Sequence, residues 1–199
     1  MSEKPGLLII EDHPIMRDGI ASYFEKTGRW QISGKASSVD EAKKIFLSEK
    51  IDVALIDIQL DDGWGTDIIP WLKEINQTPT LAVYSAFDDY SHVNAALGMG
   101  VQVYISKRRD EKELEDALLD ALNGKTVIDE MVQTKLKTVT ELCSVLTKRE
   151  REILTMVKSD VTNREIAEKL GINLRTVENI LSCVYDKTGV RSRAELQKL

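Results

Sequence analysis

Cysteine and histidine are scarce in this 199-residue chain, two of each, and that scarcity excludes much before any motif is read. Cys143 and Cys183 lie far apart, with no CxxC spacing and no neighbouring histidine. Neither a disulfide framework nor a zinc site is expected, and both are read as small core residues of a reducing compartment. With only His13 and His92 available, a histidine-rich metal centre is excluded. No apolar run approaches the roughly 18 residues that a membrane helix needs. The apolar stretch in the opening MSEKPGLLIIEDH is too short for a signal peptide, and acidic residues follow it at once. A cytoplasmic protein with no membrane partner is the expectation.

What is present is an ordinary globular composition, 42% hydrophobic and 30% charged, long enough for one large domain or two small ones. The net charge of −6 is unevenly spread. Residues 1–125 hold 14 Lys and Arg against 22 Asp and Glu, a net of −8. Residues 126–145 hold 2 against 3, and residues 146–199 hold 11 against 8, a net of +3. An acidic front and a mildly basic tail indicate two modules with different partners.

Up to residue 125, short apolar runs alternate with amphipathic stretches. The runs Leu7–Ile10, Val53–Ile56, Leu81–Tyr84 and Val101–Ile105, with a weaker one around Trp30–Gly34, are β-rich and bounded by turn or charged residues, as in strands buried on both faces. Between them, Met16, Ile20, Tyr23 and Phe24 keep helical spacing behind Pro14, and Leu114, Leu118, Ala121 and Leu122 repeat it. Ser38 and Glu41 form a capping box. Five strands alternating with five helices predict a doubly wound parallel α/β domain over 1–125. A partly helical linker follows over 126–145, with Val132, Leu136, Val139, Leu142 and Cys143 at near-helical spacing. From 146 to 199 every signal is helical. Thr147 with Glu150, and Thr162 with Glu165, form capping boxes; Gly171 ends a helix, and Asn173 or Leu174 opens another with Val177, Ile180, Leu181, Val184 and Tyr185 on its apolar face.

Polar residues gather at strand ends. Glu11 and Asp12 follow the first strand, Asp57 follows Val53–Ile56, Ser85 follows Leu81–Tyr84, and Lys107 closes the last strand. In an open parallel sheet these ends converge on one ligand crevice. Carboxylates brought that close repel unless a cation sits among them, and an all-oxygen donor set suits Mg²⁺. A carboxylate can attack phosphorus and form an acyl phosphate, while a metal and an ammonium offset charge on the transferring group. Asp57, at the central strand's end, is the candidate nucleophile.

At these residues the chain resembles the receiver domain of two-component response regulators, over residues 6–124. The resemblance implies that Glu11, Asp12, Asp57 and the backbone carbonyl of Gln59 hold Mg²⁺, and that Asp57 accepts phosphoryl from a sensor histidine kinase. It makes Ser85 the switch hydroxyl, Tyr104 the switch aromatic and Lys107 the phosphate-pairing lysine. Where the family often has Met-Pro this chain has Leu60 and Asp61, Val103 replaces a small residue, and Gly65 matches.

The tail, from LTKREREIL through TNREIAEKLGI and NLRTVENILSCVYDKTGV to RSRAEL, resembles the four-helix LuxR-type (NarL/FixJ) output domain. A short helix, a glycine-containing turn and a longer helix also have the helix-turn-helix outline. The resemblance places residues 174–187 in the major groove of double-stranded DNA, with Arg175, Glu178, Asn179 and Ser182 facing outward. Arg175, Thr176 and Lys187 are the candidates for phosphate contact. Asn179 can bond an adenine edge, and Glu178 can accept from cytosine. The family commonly has Lys at Glu178, His at Ile180 and Gly at Asp160.

The implied protein is a phosphorylation-switched transcriptional regulator, not a turnover enzyme. It would form a homodimer on phosphorylation and bind inverted half-sites, because one weakly basic module neutralises few phosphates. The alternative is a protein-interaction regulator whose helix-turn-helix no longer reads DNA. A phosphohydrolase using Asp57 would need an acid two residues on, and Gln59 cannot serve.

Overall fold

A computed structural model describes residues 3–87, 90–134, 136–137 and 145–197. The chain divides into two compact units, Met1–Val132 and Gln133–Leu199.

The first unit is built on strands β1 (Gly6–Ile10), β2 (Gln31–Ala36), β3 (Val53–Ile56), β6 (Thr80–Ser85), β7 (Val103–Ser106) and β8 (Val127–Ile128). They form one all-parallel sheet in the order β2-β1-β3-β6-β7-β8. Helices α1 (Pro14–Thr27), α2 (Val39–Ser48), α3 (Ile68–Glu74), α4 (Tyr90–Met99) and α5 (Glu111–Leu122) connect the strands. Side chains alternate across a strand, so Leu7, Ile9, Val53, Leu55, Val103 and Ile105 share one face, where Ile20, Phe24, Leu114 and Leu118 of α1 and α5 cover them. Leu8, Ile10, Ala54, Ile56 and Tyr104 alternate with those residues and are equally buried. The parallel α/β architecture is therefore the one expected. Met16, assigned to the buried face of α1, is instead exposed.

Two features lie outside the sequence reading. Between β3 and α3, β4 (Gln59–Leu60) and β5 (Gly63–Trp64) make an antiparallel ribbon. At the far edge, β8 adds a sixth strand where a linker was expected. Val127 N–H donates to Gln102 O at 2.8 Å and Asp129 N–H to Tyr104 O at 2.8 Å. Asp129 then accepts from Arg109 Nε at 2.8 Å and from Met131 N–H at 2.9 Å. With Val132 also buried, the first unit extends seven residues past the expected end at 125. A two-residue strand has no period to read, which is why the boundary at 126 fell short. Val139, Leu142 and Cys143, the end of the expected linker helix, lie outside the described residues.

The second unit contains α6 (Lys148–Lys158), α7 (Asn163–Leu170), α8 (Leu174–Thr188) and α9 (Arg193–Leu196). Thr147 and Thr162 each cap their helix reciprocally with Glu150 and Glu165, as their spacing predicts. Gly171, in the left-handed region at φ 62°, ends α7, and Asn173 caps α8. Ile153, Val157, Ile166, Val177, Leu181 and Val184 are the centre of its core. Asp160 holds φ 59° and its carboxylate accepts from Gln197 Nε2 at 2.9 Å. A left-handed backbone suits Gly best, and Asp is among the few side chains that tolerate it. No described helix is long and apolar enough to cross a membrane.

Candidate phosphoacceptor site and nucleic-acid interface

Strand register brings the site together. Ile10 pairs with Ile56, so Glu11 and Asp57, the next residue on each strand, emerge side by side. Ser85 ends β6 beside Ser106, one residue before Lys107. The chain leaves β1 for β2 on one side and reaches β3 on the other, so the carboxylates stand at the topological switch point, where open α/β sheets bind ligands.

Asp57 is buried, and both its oxygens are engaged. Ser85 Oγ donates to Oδ1 at 2.8 Å, and Lys107 Nζ to Oδ2 at 2.6 Å. The same ammonium donates to Glu11 Oε2 at 2.7 Å. Burial alone would lower the Lys107 ammonium, but these two carboxylates raise it above its ordinary value. Asp12, Asp57, Gln59, Ser85, Phe87 and Lys107 line one cavity of about 380 Å³. Tyr104, fully buried, donates its hydroxyl to Phe87 O at 2.7 Å. Thus Glu11, Asp12, Asp57, Gln59, Ser85 and Lys107 meet as expected, and Tyr104 joins them through Phe87.

Three further residues shape the site through contacts that the sequence did not show. Gly65 packs so closely on Asp57 that a Cβ there would lie 2.0 Å from the Asp57 carbonyl oxygen. Arg17 holds the carboxylate loop by donating to Glu11 O at 2.6 Å and Asp12 O at 3.3 Å. His13 Nδ1 lies 2.7 Å from Asp12 Oδ1 and 3.2 Å from Glu11 Oε1. Burial would raise the Asp12 carboxyl, but hydrogen bonding and charge from His13, with help from the Asp61 backbone N–H, hold it below its ordinary value. A proline at 61 would lack that N–H. Glu11, Asp12 and His13 each bring a ligand atom within 4.8 Å of the others, a spacing able to hold a divalent metal. With Asp57 beside them the donor set is oxygen-rich and suits a hard cation.

In the second unit, Arg175, Glu178, Asn179 and Ser182 are exposed along α8, as its apolar periodicity requires. Cys183 is exposed on the same helix, which corrects its assignment to the core; Cys143 lies outside the described residues. Thr176 donates its hydroxyl proton to Asn173 Oδ1 at 2.8 Å. Lys187, expected at phosphate, is held by Glu150 at 2.7 and 2.8 Å. Arg193 likewise ties to Asn163 at 2.9 Å and to the Val161 carbonyl. Lys187 and Arg193 thus hold the helices together, whereas Arg175, Glu178, Asn179 and Ser182 remain exposed.

The receiver domain family of response regulators matches residues 7–119, and the family described as bacterial regulatory proteins, luxR family, matches residues 144–199. The chain belongs to the response regulators in which a phosphorylation-switched receiver is coupled to a DNA-binding helix-turn-helix domain. It is 31% identical to response regulator protein VraR of Staphylococcus aureus over 194 residues, covering 95% of this chain and 92% of VraR. The fold is similar to that of the two-component response regulator RcsB in a DNA complex, with TM-score 0.76, 21% identity and coverage of 98% and 96%. It is also similar to RcsB from Salmonella enterica serovar Typhimurium bound to promoter P1flhDC in the presence of BeF₃⁻, with TM-score 0.75, 21% identity and coverage of 98% and 97%.

Proposed function

We propose that Asp57 is the phosphoacceptor, loaded by a sensor histidine kinase, and that its phosphorylation controls promoter binding through α8. The observation that carries this reading is the Asp57 carboxylate, buried at a strand end between the Ser85 hydroxyl and the Lys107 ammonium. One Asp57 oxygen attacks the donor phosphorus, and the bond from phosphorus to the donor's nitrogen breaks with its electron pair going to the imidazole. Ser85 and Lys107, already on the two carboxylate oxygens, then have a phosphoryl oxygen as a competing partner. Glu11, Asp12, Asp57 and the Gln59 carbonyl would hold Mg²⁺, which supplies charge neutralisation for the transferring group. Tyr104, whose hydroxyl donates to the carbonyl of Phe87, two residues past Ser85, would follow a shift of the Ser85 hydroxyl.

On the output side, Arg175 contacts phosphate, while Asn179, Glu178 and Ser182 face base edges. The solved RcsB complexes include dimers on DNA, which supports a homodimer on inverted half-sites here. Acetyl phosphate with Mg²⁺ is expected to add one phosphoryl group to the wild type and none to Asp57→Asn. Full labelling of Asp57→Asn would overturn the assignment. Mobility-shift selection on genomic fragments tests the output, and no shifted fragment at any salt would favour the protein-interaction reading.

A further inference from the structure

We infer that Trp64 and His92 are positioning residues that, by packing their rings against Phe87, hold it in the lining of the acceptor cavity and set how fast water removes a phosphoryl group from Asp57. The inference rests on the proposed acceptor role of Asp57.

Three segments distant in sequence each contribute one ring to this cluster. Trp64 comes from the ribbon strand β5, Phe87 from just beyond β6, and His92 from the first turn of α4. Every ring contacts the other two: the centroids lie 5.3 Å apart for Trp64 and His92, 4.7 Å for Phe87 and His92, and 6.4 Å for Trp64 and Phe87. These separations are within the range of favourable aromatic pairs. Trp64 remains 45% exposed, so core formation does not account for its position.

The cluster is fixed to the site at several points. Gln59, which lines the cavity, is the cross-strand partner of Trp64. Gly65, the next residue, abuts the Asp57 carbonyl. Phe87 lines the cavity itself, its N–H points to Ser85 Oγ at 3.4 Å, and its carbonyl accepts from Tyr104. A displacement of the Trp64 ring therefore releases Phe87 directly beside the acceptor.

Loss of the phosphoryl group requires a water oxygen to attack phosphorus. The bond from phosphorus to the Asp57 oxygen breaks, its electron pair stays on the carboxylate, and inorganic phosphate leaves with the water's proton passing to it or to solvent. The attacking water must approach phosphorus from the side opposite the Asp57 oxygen, through the cavity that Phe87 lines. Loading from a small phosphodonor uses the same approach. A loosened cluster should consequently speed both loss and small-donor loading, whereas simple damage to the fold would reduce loading.

The test uses the full chain as wild type, Trp64→Ala, Trp64→Phe, His92→Ala and the double alanine variant. Each is loaded with labelled acetyl phosphate and Mg²⁺, freed of donor, and followed for loss of label. Both single alanine variants are expected to lose label about three- to tenfold faster, the scale of one aromatic pair expressed in a barrier. They should load to full stoichiometry at least as fast as wild type. Trp64→Phe should keep the wild-type lifetime, and the double variant should be little faster than the faster single one. Wild-type lifetimes in both alanine variants overturn the inference while leaving Asp57 as acceptor. So does faster loss accompanied by reduced loading. A wild type that takes no label overturns the acceptor reading and this inference with it.

Discussion

Removing the charge of Lys107 while keeping its length, as in Lys107→Met, isolates the electrostatic tension around Asp57. The ammonium is shared by Glu11 and Asp57, whose side chains are 3% and 7% exposed, and is itself 15% exposed. Breaking a buried pair costs about 3–5 kcal/mol, and partial solvent access reduces this to about 2–3 kcal/mol. Because Lys107 is held above its ordinary value, its contribution is complete below that value and is lost only as pH rises through the higher folded one. Neutral pH therefore lies on the plateau. For a unit reaching Val132, unfolding entropy is about 0.28 kcal/mol per degree, so the melting temperature in EDTA should fall by about 7–11 °C. Excess Mg²⁺ meets two carboxylates without their competitor in the variant and should raise its melting temperature more than that of wild type. All three tryptophans, Trp30, Trp64 and Trp71, lie in this unit, so intrinsic fluorescence reports it selectively. Unchanged melting in EDTA, or a larger Mg²⁺ effect on wild type, would refute the reasoning.

Other perturbations follow from the same contacts. Glu115 is fully buried and accepts from Trp30 Nε1 at 2.8 Å and from Arg29; Glu115→Gln should cost about 2–4 kcal/mol and shift Trp30 emission in a denaturant titration. Glu150 is held below its ordinary 4.5 first by Lys187 and then by the Thr147 N–H. Its stabilisation is present above that value and lost as pH falls through the lower folded one, so the melting advantage of wild type over Glu150→Gln should vanish in acid. Arg175→Ala should weaken binding to every DNA fragment and reduce the salt slope by about one, read by titration at several ionic strengths. Glu178→Gln should strengthen non-specific binding in the same assay.

The site was largely legible because its chemistry sits at strand ends, where apolar runs stop at Glu11, Asp57, Ser85 and Lys107. Strand register then makes those ends converge, and register follows from the buried runs themselves. The ribbon β4–β5 and strand β8 were not legible, since two residues carry no periodicity and their pairing depends on a neighbour already in place. Gly65 stands out in sequence only as a match to the receiver family, while its close approach to Asp57 exists only in three dimensions. Lys187 looked like a phosphate contact because its charge is visible in sequence and its partner, Glu150, is remote. Cys183 was assigned to the core by residue type, against a helical phase that places Val184 inward and its neighbour outward.

The short strand β8 also determines where this protein can be cut. A fragment ending at Lys125, the boundary that apolar periodicity suggests, would leave the carbonyls of Gln102 and Tyr104 without their partners. The β7 edge, with Val103 and Tyr104 on it, would then offer an open template for another strand. Arg109 would lose its bonds to Asp129 and keep the one to Glu113. Such a fragment should self-associate during purification, whereas one carried several residues beyond Val132 should stay dispersed. Fragments used to measure receiver chemistry in isolation therefore have to include residues that look like tether.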